Sequence, residues 1–138
     1  MVGQSRTLVD CPGRPISTND EQWFDWSATA LERAGDESTL VINPIIYAEV
    51  SIAYKRIEDL ELALPPGIFR REALPYEAAF LAGKAFLKYR HRGGRSKLRP
   101  LTDFYIGAHA AVAGYRLLTR DAARYRTYFP GLDVICPD

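Results

Sequence analysis

Ser38-Thr39-Leu40-Val41-Ile42-Asn43-Pro44-Ile45-Ile46-Tyr47-Ala48-Glu49-Val50 is the stretch on which the fold class turns. Ser38 to Ile42 is a short, largely apolar run, the pattern of a buried strand. Asn43 then offers a capping oxygen directly before a proline at the first helical position, so a helix begins here and is expected to run to about Lys55. A strand that feeds at once into a helix is the unit of a parallel sheet, because parallel neighbours need a crossover between them.

Working outward, the same alternation recurs. Thr7-Leu8-Val9 is β-prone and ends in Asp10, after which Cys11-Pro12-Gly13-Arg14-Pro15 can continue neither a strand nor an ordinary helix. From Asn19 or Asp20 to Ala34, Trp23, Trp26, Ala30, Leu31 and Ala34 recur at three- and four-residue spacing, an amphipathic helix expected to stop at Gly35. Ile57 to Leu64 reads as a short helix closed by Pro65-Pro66-Gly67, and Phe69 to Leu74 as a weakly patterned extended piece. Pro75 opens a long helix that Gly93-Gly94 breaks. Thr102 to Ala113 is a helix of small residues ending at Gly114. Tyr115 to Thr119 reads as a strand, Asp121 to Tyr128 as a short helix and Leu132 to Cys136 as a last strand. The fold class is therefore α/β, a central parallel β-sheet flanked by helices.

The 138 residues, 47% of them hydrophobic, suit one domain over 1–138 with a core that needs neither disulfide nor structural metal. The two cysteines, Cys11 and Cys136, form no disulfide framework or zinc motif. Phe104 to Tyr115 carries no formal charge, yet it is far short of the roughly 20 apolar residues that cross a bilayer. Met1 to Leu8 lacks a secretory pattern, so the expected location is cytoplasmic, with no membrane partner. A formal net charge of +1 hides a strong division, with residues 1–77 at −6 and residues 78–138 at +7. A polyanion could be held on the second half alone.

In such sheets ligands bind beyond the carboxyl ends of the strands. Asp10 and Asp121 fall at those turns and Asp103 at a helix start, where helix capping is a competing role. Glu49 lies near the middle of the arc defined by Ile45, Ile46, Ala48, Ile52 and Ala53 and is expected to face inward. A carboxylate there needs a proton, a basic partner or a cation. Four acids able to reach one mouth of the sheet would repel one another unless a hard divalent cation stood between them. Oxygen-only ligation suits magnesium or manganese. His91 and His109 suggest no nitrogen-rich site.

These residues carry a resemblance. Leu8-Val9-Asp10, Asn43-Pro44-Ile45-Ile46-Tyr47-Ala48-Glu49-Val50, Asp103-Phe104-Tyr105-Ile106-Gly107-Ala108-His109-Ala110, and Leu118-Thr119-Arg120-Asp121 with Tyr128-Phe129-Pro130 together resemble the PIN-domain ribonucleases, in particular the VapC toxins of bacterial toxin–antitoxin pairs. The resemblance implies a PIN-like three-layer fold and Asp10, Glu49, Asp103 and Asp121 as catalytic and metal-binding acids for Mg2+ or Mn2+. It also implies cleavage of RNA phosphodiesters, a homodimer, and inhibition by a VapB-like antitoxin. The chain departs from the family after Asp10, where an Asn and an apolar helix start are usual and Cys11 to Pro15 stand instead. That departure motivates an alternative, a weakened or inactive PIN-domain module that still binds its antitoxin. A third reading is an unrelated α/β phosphate-binding or receiver-like domain with Asp10 as phosphoacceptor.

Substrate contact is expected from Thr119, beside Asp121, and from a basic flank that includes Arg92, Arg95 and Arg120, since phosphate contacts favour such side chains. Arg116, Arg124 and Arg126 add to it. Tyr89 and Tyr125 are candidates for stacking on unpaired bases, with core packing as the alternative.

Overall fold

The computed structural model describes residues 5–10, 21–94 and 99–136, without the side chains of 21–27, 99 and 100. Five parallel strands form one sheet in the order β3-β2-β1-β4-β5, with β1 Arg6–Val9, β2 Thr39–Ile42, β3 Phe69–Arg71, β4 Arg116–Leu118 and β5 Val134–Ile135. The helices between them are α1 Glu21–Glu37, α2 Pro44–Ser51, α3 Ile57–Ala63, α4 Tyr76–His91, α5 Arg99–Ala113 and α6 Ala123–Tyr128. The α/β class and the parallel sheet expected from the sequence are those observed. A receiver-like sheet would be ordered 2-1-3-4-5, so the receiver-like form of the third reading is excluded by the strand order.

Local chemistry explains most boundaries. Asn43 Oδ1 accepts the Ile46 N–H at 2.9 Å and Pro44 is the first helical residue, so α2 starts where the sequence places it. It ends sooner than expected, at Ser51. Ala53 and Tyr54 bond back three residues, a tightening last turn that leaves Ile52 86% exposed. The buried face of α2 is thus Ile46 and Val50; Glu49 is half-buried with its Oε1 shielded from solvent, as its inward direction requires, whereas Ala48, Ile52 and Ala53 of the expected apolar arc are exposed. Helix α1 runs through Gly35 to Glu37. An interior glycine costs only about 1 kcal/mol relative to alanine, which Ala34 and the other core contacts of the helix outweigh. At the end of α5, Gly114 takes φ 74° and Tyr115 N–H returns to the Ala110 carbonyl at 2.9 Å, closing the helix with a left-handed residue.

Alternation along the strands divides the two sheet faces. Arg116 lies with Ala30 and Ala34 of α1 on one side, while Tyr115 meets the His109 ring of α5 on the other. Helix α4 packs along α5, and Phe86, Tyr89, Phe104, Tyr128 and Phe129 meet at tilted or edge-on angles, with Phe104 and Tyr128 at 4.9 Å. This aromatic cluster seats α6 against α5. Gly107 allows the approach, because a Cβ there would stand 2.6 Å from Phe129 and 2.9 Å from Tyr125. Among the described residues no helix is long and apolar enough to cross a membrane.

Candidate active site

The strand order reverses direction between β1 and β4, and a crevice opens there beyond the strand ends. A cleft of 1120 Å3 occupies it, and Asp10, Glu49, Asp103 and Asp121 all line its wall. Each arrives from a different element. Asp10 ends β1, its N–H bonded to the Leu118 carbonyl at 2.8 Å. Glu49 comes from α2, Asp103 from the first turns of α5, and Asp121 from the link between β4 and α6.

Asp10 is buried, and its Oδ2 accepts from Thr119 Oγ1 at 2.9 Å and from the Tyr125 hydroxyl at 3.1 Å. Asp121 is exposed and accepts the Ala123 N–H at 3.2 Å, while its own N–H donates to Thr119 Oγ1 at 3.3 Å. Thr119 therefore ties two of the acids together and contacts a carboxylate, one of the two uses the sequence suggests for it. Asp103 pairs with Arg124, Nη1 to Oδ2 at 2.8 Å. Arg120 lines the cleft and is exposed; Arg92 stands over the Tyr128 ring at 5.4 Å. Arg95 and the segment Cys11 to Pro15 lie outside the described residues.

Tyr125 reports the electrostatics of the cleft. Burial, then the charges of Asp10 and Asp103, the hydrogen bond to Asp10 and the charge of Glu49 push its phenol well above the usual value. The hydroxyl remains a donor, and three of the four acids act on it. This corrects the stacking role considered for Tyr125, which at 2% exposure has no face to offer a base. Its inward direction was readable, since Ala122, Tyr125 and Phe129 recur at three- and four-residue spacing and all three are buried. The Arg124 partnership with Asp103 was not.

The donor chemistry fits a hard divalent cation, since the cleft presents carboxylate oxygens and Arg124 already places a positive charge on one of them. The acids share the cleft without meeting at a point. Among the described residues no three acidic, histidine or cysteine side chains stand close enough together to hold one ion.

A second polar assembly, unforeseen in the sequence, lies on the α5 side of the sheet. Glu72 Oε1 accepts from the Tyr115 hydroxyl at 2.7 Å, and Oε2 faces Arg6 at 3.0 Å and Arg70 at 3.5 Å. His109 Nε2 stands 3.9 Å from the same carboxylate. Because Asn43 Oδ1 is taken by Ile46 N–H, the Asn43 amide nitrogen faces His109 Nδ1 at 3.0 Å and donates to it. The imidazole is then neutral with its proton on Nε2. Burial holds it below the ordinary 6.5, with the Glu72 charge acting in the opposite sense.

Comparison with known proteins agrees with this architecture. The model of the PIN domain family matches residues 16–130, and the chain belongs to that family. PIN domains are in general nucleases, and they typically use divalent metals. No curated protein matches the chain. Among solved structures, VapBC2 from Rickettsia felis, bound to a DNA fragment from their promoter, is similar at 16% identity and TM-score 0.68, covering 96% of this chain and 99% of that one. VapBC-1 from nontypeable Haemophilus influenzae gives 16% and 0.66 over 95% and 97%, and FitAcB from Neisseria gonorrhoeae 17% and 0.62 over 94% and 96%. At such identities the likeness is one of fold.

Proposed function

We propose that the protein is a metal-dependent endoribonuclease toxin that hydrolyses RNA phosphodiester bonds in the cytoplasm and is restrained by a VapB-like antitoxin. The observation that carries this reading is the gathering of Asp10, Glu49, Asp103 and Asp121 on one cleft at the β1/β4 crevice of a PIN domain. In the proposal Asp10 and Asp103 are the principal ligands of Mg2+ or Mn2+. Asp121 binds directly or through water, and Glu49 serves as a ligand or orients metal-bound water. The bound ion supplies an activated water and a counter-charge for the phosphoryl oxygens.

The remaining work belongs to the chain. Thr119 and Tyr125 fix the Asp10 carboxylate by two hydrogen bonds to one oxygen, and the raised phenol of Tyr125 keeps its donor across the working pH range. Arg120, Arg92 and Arg95 are proposed to meet RNA phosphates on the flanks. The alternative of a weakened or inactive module concerns residues 11–15, whereas Thr119 and Tyr125 hold the Asp10 side chain from the other end of the chain. Those bonds support the catalytic reading.

An antitoxin partner is supported by the VapBC and FitAcB neighbours. Helix α4 exposes Tyr76, Phe80 and Leu87, apolar area of the kind that an antitoxin or the second subunit of the proposed homodimer would cover. The test is cleavage of structured RNA by the purified protein. Hydrolysis is expected with Mg2+ or Mn2+, stopped by chelator and reduced about 10³-fold by Asp103→Asn. Cleavage that survives both would contradict the proposal.

A further inference from the structure

We infer that Arg124 is an exchangeable partner in the cleft, holding Asp103 in the metal-free protein and passing to an RNA phosphate when the carboxylate takes up the ion. The inference rests on the nuclease reading and adds a positioning residue and an order of events to it.

Three observations carry it. The Arg124 guanidinium meets Asp103 Oδ2 at 2.8 Å, a direct charge-assisted bond to one of the acids of the cleft. Both side chains keep about a third of their surface exposed, 32% and 27%, so the pair can separate without moving a core residue. The guanidinium also lies 5.7 Å over the ring of Tyr89, another residue of the cleft wall, which gives the planar cation a support apart from the carboxylate. A guanidinium resting on an aromatic face presents its fork equally well to carboxylate or phosphate.

The charge balance points the same way. Asp10, Asp103 and Glu49 line one cleft, so a cation at Asp103 offsets the negative charge gathered there. When a divalent ion supplies that relief, the arginine is released beside the place where substrate phosphate must lie. Arg126 gives the internal comparison. It lines the same cleft with the same charge, but its Nη2 reaches the Cys136 sulfur at 3.1 Å.

A ligand that must displace a resident partner binds with its affinity reduced by the fraction of protein already released. Mn2+ titration of the full chain, followed by the paramagnetic signal of the free ion, should show Arg124→Ala binding roughly five- to ten-fold tighter than wild type. Arg126→Ala should stay within about two-fold, because it leaves the Asp103 pair intact. Equal tightening in both variants would reveal only a general field and overturn the exchange, as would unchanged or weaker binding in Arg124→Ala. Absence of Mn2+ binding in the wild type would instead remove the nuclease reading and the exchange with it. The second half is read from an uncleavable 2′-O-methyl RNA strand. With Mn2+ saturating, the slope of log affinity against log salt should fall by about 0.7 in Arg124→Ala, and without Mn2+ the two proteins should give the same slope. Matching slopes in both states would overturn the transfer to phosphate.

Discussion

Two polar assemblies draw on α5, and both are assembled from residues far apart in the chain, yet their charges are arranged oppositely. At Glu72 a single carboxylate is met by Arg6, Arg70, the Tyr115 hydroxyl and, further off, His109. At the β1/β4 crevice four carboxylates share one cleft, and three of them, Asp10, Asp103 and Glu49, act on the Tyr125 phenol. The first arrangement is complementary within the protein and joins β1, β3 and α5. The second gathers four acids where a ligand can enter, with Arg120, Arg124 and Arg126 in the same wall. The contrast separates acids that hold the fold from acids that are available for chemistry, although both kinds are partly buried and engaged.

The sharpest way to break this comparison is to truncate one acid from each assembly. Glu49→Ala should lower RNA cleavage about 10²- to 10³-fold while leaving the thermal midpoint within about 2 °C, since removing a charge from an acid-rich cleft relieves repulsion. Glu72→Ala should do the reverse. It removes the acceptor of the Tyr115 hydroxyl and the carboxylate partner of Arg6 and Arg70, lowering the midpoint by about 5 °C, with cleavage below the transition changed by about two-fold or less. Parallel activity assays and melting curves check both, and equal effects on stability would erase the distinction.

A smaller effect sharpens it. His109 is buried neutral and accepts a proton donor at Nδ1, so its folded pKa lies below the unfolded value. Its contribution to stability is complete above the ordinary 6.5 and declines as pH falls below it, because the unfolded chain then binds the extra proton. Denaturant midpoints of wild type should drop more between pH 7.5 and 5.5 than those of His109→Gln. Identical slopes would mean that the imidazole is not held neutral.

Much of the frame was legible because its signals are local. The Asn43-Pro44 start of α2 and the end of β1 at Asp10 depend on neighbours along the chain, and the structure reproduces both. Boundaries decided by distant packing were read less well. Gly35 would stop an isolated helix, but α1 continues to Glu37, and Ile52 would extend α2 if core were available to receive it. Glu72 gave no signal, since it sits in a weakly patterned segment and its partners Arg6 and Tyr115 are 66 and 43 residues away. Tyr125 illustrates the remaining difficulty. Its spacing places it inside, but only the fold shows that its hydroxyl reaches Asp10, 115 residues earlier.

The account rests on the acid cleft holding a divalent ion, and diffraction at the manganese edge from crystals soaked in Mn2+ tests this most directly. An anomalous peak bounded by Asp10 and Asp103, with Arg124 turned away from Asp103, is the expected result. Soaked crystals with an intact Arg124–Asp103 pair and no peak in the cleft would contradict it.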